Sequence, residues 1–172
     1  MEFEDGPFPL MPLTVCNRQR TRQVNLRLFR QIGLALLNDL HASQPVEVGV
    51  NLIGAAEMQR LNETFLRHEG STDVITFDYA DHASRITHHA DALHGEIFLC
   101  VDEAILQARR FRTTWQAELV RYLIHGVLHL LGHDDLHAVA RRKMKREENR
   151  LLKSLSARFA LSRLARKSKL RP

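Results

Sequence analysis

Apolar residues recur along this chain with two periods, and the switches between them mark its elements. Over residues 23–40 they fall at Val24, Leu28, Ile32, Ala35, Leu36 and Leu40, the spacing of a helix with one buried face. Gln44-Pro45 ends that pattern, and residues 46–53 alternate Val46, Val48, Val50 and Leu52 against polar or small residues, as a strand does. Residues 55–66 return to a helical period, with Met58, Leu61 and Phe65 on one side, and Gly70-Ser71 marks a turn. Further short β runs lie at residues 13–17, 73–79 and 95–101, with a polar loop over residues 80–94. Asp102 is placed to cap a helix running to about Phe111, and Thr113 or Thr114 to cap one over residues 115–131. A last helix runs from about Ala138 to Leu155 or beyond. With no internal repeat, the pattern predicts a single α+β domain. About four strands form a sheet packed against helices, and the helix at 115–131 is central.

Composition adds little to that picture until charge is resolved along the chain. The 172 residues are 44% hydrophobic and 26% charged, ordinary values for a domain with its own core. No apolar run approaches the length that spans a bilayer, and the acidic, Pro-containing start does not resemble a signal peptide. Cys16 and Cys100 sit in strand-like runs and are expected to be buried, reduced thiols of a cytoplasmic protein. Residues 141–172 hold thirteen Lys or Arg against Glu147 and Glu148, a net +11, whereas the preceding 140 hold twelve against eighteen, a net −6. The division suggested is a domain over residues 1–157 and a basic tail over residues 158–172. Such an arm attracts phosphate backbones regardless of sequence. A solvated helix face with a frayed end accounts for the same charges.

The candidate chemistry lies in His125-Gly126-Val127-Leu128-His129-Leu130-Leu131-Gly132-His133-Asp134-Asp135. Residues four apart lie one above the other on a helix, so the His125 and His129 imidazoles can converge on one ion. A lone His pair at this spacing is more often a surface or satisfied core pair. Here the apolar neighbours make a partnerless imidazole costly. Gly132 also permits a left-handed turn that ends the helix and swings the following His and Asp residues back. Three protein ligands with one open position is how catalytic zinc is held. His82, His88, His89 and His94 of the polar loop show no ligand spacing on a regular element and are left out.

The segment 125–135 resembles the signature of the YbeY endoribonucleases, bacterial rRNA maturation factors, whose pattern runs His-Gly-x-Leu-His-Leu-x-Gly-x-Asp-His. Leu61-Asn62, followed by Ser71-Thr72-Asp73-Val74-Ile75-Thr76-Phe77, is similar to that family's Leu-Asn…Pro-Thr-Asp-Val-Leu-Ser-Phe stretch. Gly95-Glu96-Ile97-Phe98-Leu99 is similar to its Gly-Asp-Ile-x-Ile strand. The resemblance covers about residues 46–152. It implies one metal ion, zinc or another divalent cation, on His125, His129 and the residue at the third ligand position. That residue is Asp135 where the family usually has His, and a carboxylate is itself a zinc ligand. His133 and His137 are nearby but do not match that position. The family's arginine near the metal aligns with Leu66; its neighbour Arg67 takes the role if the loop shifts by one residue, and is otherwise a solvated loop arginine.

What the resemblance implies is metal-assisted, single-strand-specific RNA cleavage in rRNA processing, at the 3′ end of 16S rRNA and in ribosome quality control. The partners would be rRNA and ribosomal particles in the cytoplasm, with no membrane. Gly126 stands where the zinc-protease motif His-Glu-x-x-His has its base, so peptide hydrolysis lacks its usual proton acceptor. Glu118 lies two turns before His125, about 10 Å along the axis by helical rise, too far to serve as that base. A capping or packing role fits it better. Asp134 would assist the site or stabilise the turn. Two rivals remain: a metallohydrolase acting on a small molecule or peptide, and a non-catalytic ribosome-assembly factor with a structural metal.

Overall fold

A computed structural model describes residues 13–40, 46–79 and 93–166. In chain order these form β1 (Leu13–Asn17), α1 (Leu26–Asp39), β2 (Val46–Ile53), α2 (Ala55–Leu61), β3 (Val74–Asp78), β4 (Leu93–Cys100), α3 (Val101–Phe111), α4 (Trp115–Leu130) and α5 (Ala138–Arg158). A π turn, Asn62–Leu66, continues α2, and a 3-10 turn, Leu161–Leu164, follows α5. The sheet order is β1-β2-β4-β3, with β1, β2 and β4 parallel and β3 antiparallel to β4. The architecture is the α+β single domain that the periodicity predicts.

Strand alternation divides the interior in two. Val48, Val50 and Leu52 of β2 and Ile97 and Leu99 of β4 face the main core, which they share with α1, α4 and α5. The alternate residues Phe98 and Cys100 face the other side, where Ile53, Ile75 and Met58 complete a smaller core. On the edge strand β1, Leu13 and Val15 face the main core, while Cys16 points to the opposite face, where no core covers β1, and is exposed. The expectation of two buried thiols is therefore corrected for Cys16 and holds for Cys100.

The helix that carries the histidine pair is pressed directly onto the sheet. Helix α4 buries Leu119, Val120, Leu123, Ile124, Val127 and Leu128. Gly126 is what permits the close approach, since a Cβ there would lie 2.6 Å from Ile97 Cγ2. Gly126→Ala is expected to lower the unfolding free energy by about 1–3 kcal/mol through overpacking. Denaturant unfolding checks this, and an unchanged midpoint would show that α4 can lift off β4 at no cost.

Local chemistry sets the element boundaries. The Asn25 side chain accepts from Leu28 N–H at 3.1 Å, so α1 begins at Leu26 rather than residue 23. Asp102 does not cap α3, because β4 runs into that helix with Cys100 at the cap position. Its carboxylate instead accepts from the Ala55 N–H at 2.7 Å, at the start of α2, and from the Thr21 hydroxyl at 2.8 Å. Thr114 does cap α4, accepting from Ala117 N–H at 3.2 Å. Residues 159–166 lie on the body: Leu164 is fully buried, its carbonyl accepts from Asn25 N–H at 2.8 Å, and Arg166 N–H donates to Gln23 O at 3.0 Å. His82, His88 and His89 lie outside the described residues, and His94 belongs to β4.

Candidate metal centre

The i, i+4 spacing on α4 brings the two imidazoles together, and the way α4 ends orients the second of them. Gly132 takes φ +83°, the left-handed conformation that closes a helix. Gly132 N–H then donates to His129 O at 2.9 Å and His133 N–H to Leu128 O at 3.0 Å, the paired bonds of a Schellman turn. That turn brings the His133 carbonyl back to within 3.1 Å of His129 Nδ1. A carbonyl can only accept, so His129 carries its proton on Nδ1 and presents a lone pair at Nε2. His125 Nδ1 faces a carboxylate, Glu148 Oε1, at 2.6 Å, and the same logic leaves its Nε2 lone pair free. The two Nε2 atoms stand 2.9 Å apart. Two lone pairs that close repel, and they require a proton or a metal cation between them.

The titration behaviour follows from the same contacts. Burial opposes the charged form of His125, but the hydrogen bond and charge of Glu148, helped by Asp73 and Asp135, outweigh it and raise the pKa above the ordinary histidine value. Burial and then the neighbouring His125 lower that of His129. A metal ion must displace the proton that His125 holds, so affinity should rise with pH through the raised His125 pKa. Below that pKa it should fall about tenfold per pH unit for one displaced proton. Metal titration from pH 5 to pH 9 checks this, and a pH-independent affinity would mean that His125 is not a ligand.

Asp135 completes the set. The ligand atoms of His125, His129 and Asp135 all lie within 4.8 Å of one another, and Asp135 Oδ1 is 3.9 Å from His129 Nε2. Its loop is braced at both ends. Asp134 accepts from Leu136 N–H at 2.8 Å, a turn-stabilising bond, and Arg141 Nε donates to Asp135 O at 3.1 Å. His133 contributes its carbonyl to the site, and His137 sits at the start of α5. Neither imidazole belongs to the cluster.

The donor set opens onto a cleft of about 490 Å³ between α4, α5 and the start of β3. Its walls carry Arg121, Arg141 and Lys145 against Asp73, Glu118, Asp135 and Glu148. Arg121 lies one helical turn before His125 and donates to Asn149 Oδ1 at 2.7 Å. Glu118 accepts from the Thr113 hydroxyl at 2.6 Å, the capping and packing role expected of it. Arg67 ends the π turn in a left-handed conformation, φ 57°, and is not among the residues that line the cleft.

The residue that sequence reasoning missed is Glu148. It is buried on α5 within the stripe Met144, Glu148, Leu151 and Leu155, all on the face turned to the core. A carboxylate on an apolar helical stripe was the available signal, hidden among the many charges of that helix. A carboxylate bonded to the far nitrogen of a ligand histidine fixes the ring and raises its basicity.

Two imidazoles and a carboxylate around one point, with a side open to a cleft, make up the class of donor set that holds a divalent ion with an exchangeable position. The chain belongs to the YbeY endoribonuclease family: the family model described as Endoribonuclease YbeY matches residues 14–156. Proteins named Endoribonuclease YbeY from Chlorobium phaeovibrioides and Chlorobium luteolum are 31% and 30% identical, over 86% and 84% of this chain and 93% and 98% of their own lengths. One from Salinibacter ruber is 26% identical over 84% of this chain and 92% of its own. The solution structure of a Thermotoga maritima protein shares the fold, with a TM-score of 0.62 at 21% identity over 93% of this chain and 99% of that one.

Proposed function

We propose that this protein is a metal-dependent endoribonuclease that cleaves single-stranded RNA with one zinc ion held by His125, His129 and Asp135. Its place would be rRNA processing in the cytoplasm, at the 3′ end of 16S rRNA and in ribosome quality control, with rRNA and ribosomal particles as partners. The observation that carries the reading is the 2.9 Å approach of two Nε2 lone pairs beside a carboxylate, at the mouth of an open cleft. Two nitrogens and one oxygen suit zinc. No helix among the described residues is long and apolar enough to cross a membrane.

When bound, such an ion supplies Lewis-acid neutralisation of a phosphodiester oxygen and acidifies the attacking water. The protein does the rest. Glu148 and the His133 carbonyl hold the two imidazoles in orientation. Arg121, Arg141 and Lys145 line the cleft and supply positive charge where negative charge builds on the scissile phosphate. Arg67, the neighbour of the position where the family has its arginine, reaches the cleft only if residues 67–73 shift. Phe111, 62% exposed on the cleft wall, offers a ring face to an unstacked base, which favours single strands over duplexes. Gly126, packed on Ile97, leaves the helix without the carboxylate base of a zinc peptidase.

The test compares cleavage of single-stranded and duplex RNA by the wild type, by the wild type with chelator, and by the wild type with zinc restored. Cleavage of single strands that is lost with chelator and regained with zinc is expected. Hydrolysis of peptides or small esters with RNA untouched would favour the small-molecule hydrolase. RNA binding without cleavage would favour an assembly factor. Asp135→His, which creates a three-imidazole set one charge more positive, is expected to retain cleavage. Its pH–rate profile should rise at lower pH than that of the wild type, and loss of activity would mean that the carboxylate does more than bind metal.

A further inference from the structure

A second cleft carries positive charge that the first does not. The walls of the histidine cleft hold three cations against four carboxylates, so by themselves they attract a polyanion poorly. Past the far end of α5, two adjoining hollows of about 680 and 460 Å³ share Asn25 and Arg166. They are lined by Arg20, Arg22, Arg27, Arg163 and Arg166 and by no carboxylate. Among the described residues, none of these five arginines makes an ion pair, whereas Arg18 pairs with Glu57 and Arg158 with Asp39.

The hollow is built on fixed backbone. Gln19 is buried beneath it: its Nε2 donates to Asn17 Oδ1 at 2.8 Å and to Arg22 O at 2.7 Å, and its Oε1 accepts from Arg22 N–H at 2.9 Å. Arg18 N–H and Gln19 N–H both donate to Leu52 O, which ties the loop to the sheet. A bridge between Val24 and Ala165 joins the loop to the segment after α5, so arginines distant in sequence share one site. A rigid frame with five solvent-facing guanidiniums is suited to oxygens of a repeating phosphate chain.

We propose that this hollow is a second, non-catalytic site that binds the phosphodiester backbone of the RNA strand whose scissile bond lies at His125 and His129. It rests on the endoribonuclease reading above. From Glu148, beside the metal centre, α5 runs ten residues to Arg158, about 15 Å along its axis. The hollow lies beyond that point and shares no lining residue with the histidine cleft. Only a strand long enough to bridge the two sites gains from both.

The experiment measures RNA affinity across a salt series in a full-length His129→Ala background, where binding and not cleavage is read. It compares Arg20→Gln/Arg22→Gln/Arg163→Gln with Arg60→Gln/Arg109→Gln/Arg110→Gln, an equal charge change on α2 and α3. All six side chains are exposed, and thermal unfolding verifies that both variants fold. For a strand of about fifteen nucleotides, the first variant should bind roughly ten- to a hundredfold more weakly at low salt, with a log–log salt slope shallower by about two. A strand of about four nucleotides should distinguish the variants little.

Slopes equal for both variants on the long strand would overturn the second site while leaving the endoribonuclease reading intact. If the parent protein bound neither strand, that reading itself would fail. Inorganic phosphate is added as a competitor. Displacement of the long strand only at concentrations that act through ionic strength supports a backbone site. Saturation of the hollow at sub-millimolar phosphate would make it a free-anion site and overturn the proposal.

Discussion

Replacing His129 with alanine is expected to abolish metal binding and to lower RNA cleavage by about a thousandfold or more, with the fold retained. The imidazole lies at the last turn of α4, half-buried, and its Nε2 faces His125 Nε2 and Asp135 Oδ1 rather than either core. Alanine continues the helix without strain. What is lost is one of three ligand atoms, and a set reduced to one imidazole and one carboxylate holds a divalent ion poorly. The charge stabilisation that the ion supplies amounts to several kcal/mol, which gives the expected factor. Single-turnover cleavage together with metal content by atomic absorption reads both effects. Near-normal cleavage by a metal-free variant would remove the metal from the chemistry altogether.

Glu148→Gln should weaken metal affinity by about ten- to a hundredfold although residue 148 never touches the ion. Glutamine keeps the volume and can still accept a hydrogen bond from His125 Nδ1, but it lacks the charge that makes the ring basic. In the metal-free protein the same change removes the main influence that raises the His125 pKa. With only Asp73 and Asp135 left to oppose burial, that pKa should drop toward the ordinary histidine value. Metal binding should then reach its plateau at a lower pH, even though the plateau affinity is weaker. Calorimetric metal titration and the histidine resonances in an NMR pH series measure the two effects separately. Weaker binding with an unmoved His125 pKa would point to disturbed packing of α5, because loss of the carboxylate must move both.

Several features of this protein were legible in one dimension. Hydrophobic period, together with turn and cap residues, marked the five helices and four strands, because each element buries one face and the burial repeats with the geometry of the backbone. The clustering of His125, His129 and Asp135 was legible because the i, i+4 spacing and Gly132 act within a few residues, and local geometry carries to three dimensions unchanged. Thr114 capped α4 as its chemistry demands. Long-range contacts decided the rest. Asp102 looked like a cap for α3, but tertiary packing set it against the start of α2, where a free N–H competed for it. Cys16 resembled a core thiol because β1 is apolar; it lies on the face opposite Leu13 and Val15, and the second core, whose extent period cannot show, does not reach β1. Glu148 is 23 residues from His125, and only the packing of α5 on α4 makes it the group that orients that imidazole. The arginines of the second hollow come from residues 20–27 and 163–166, brought together by a bridge that no local pattern encodes. Periodicity reports which face of an element is buried, whereas the identity of the partner against that face depends on how the elements dock.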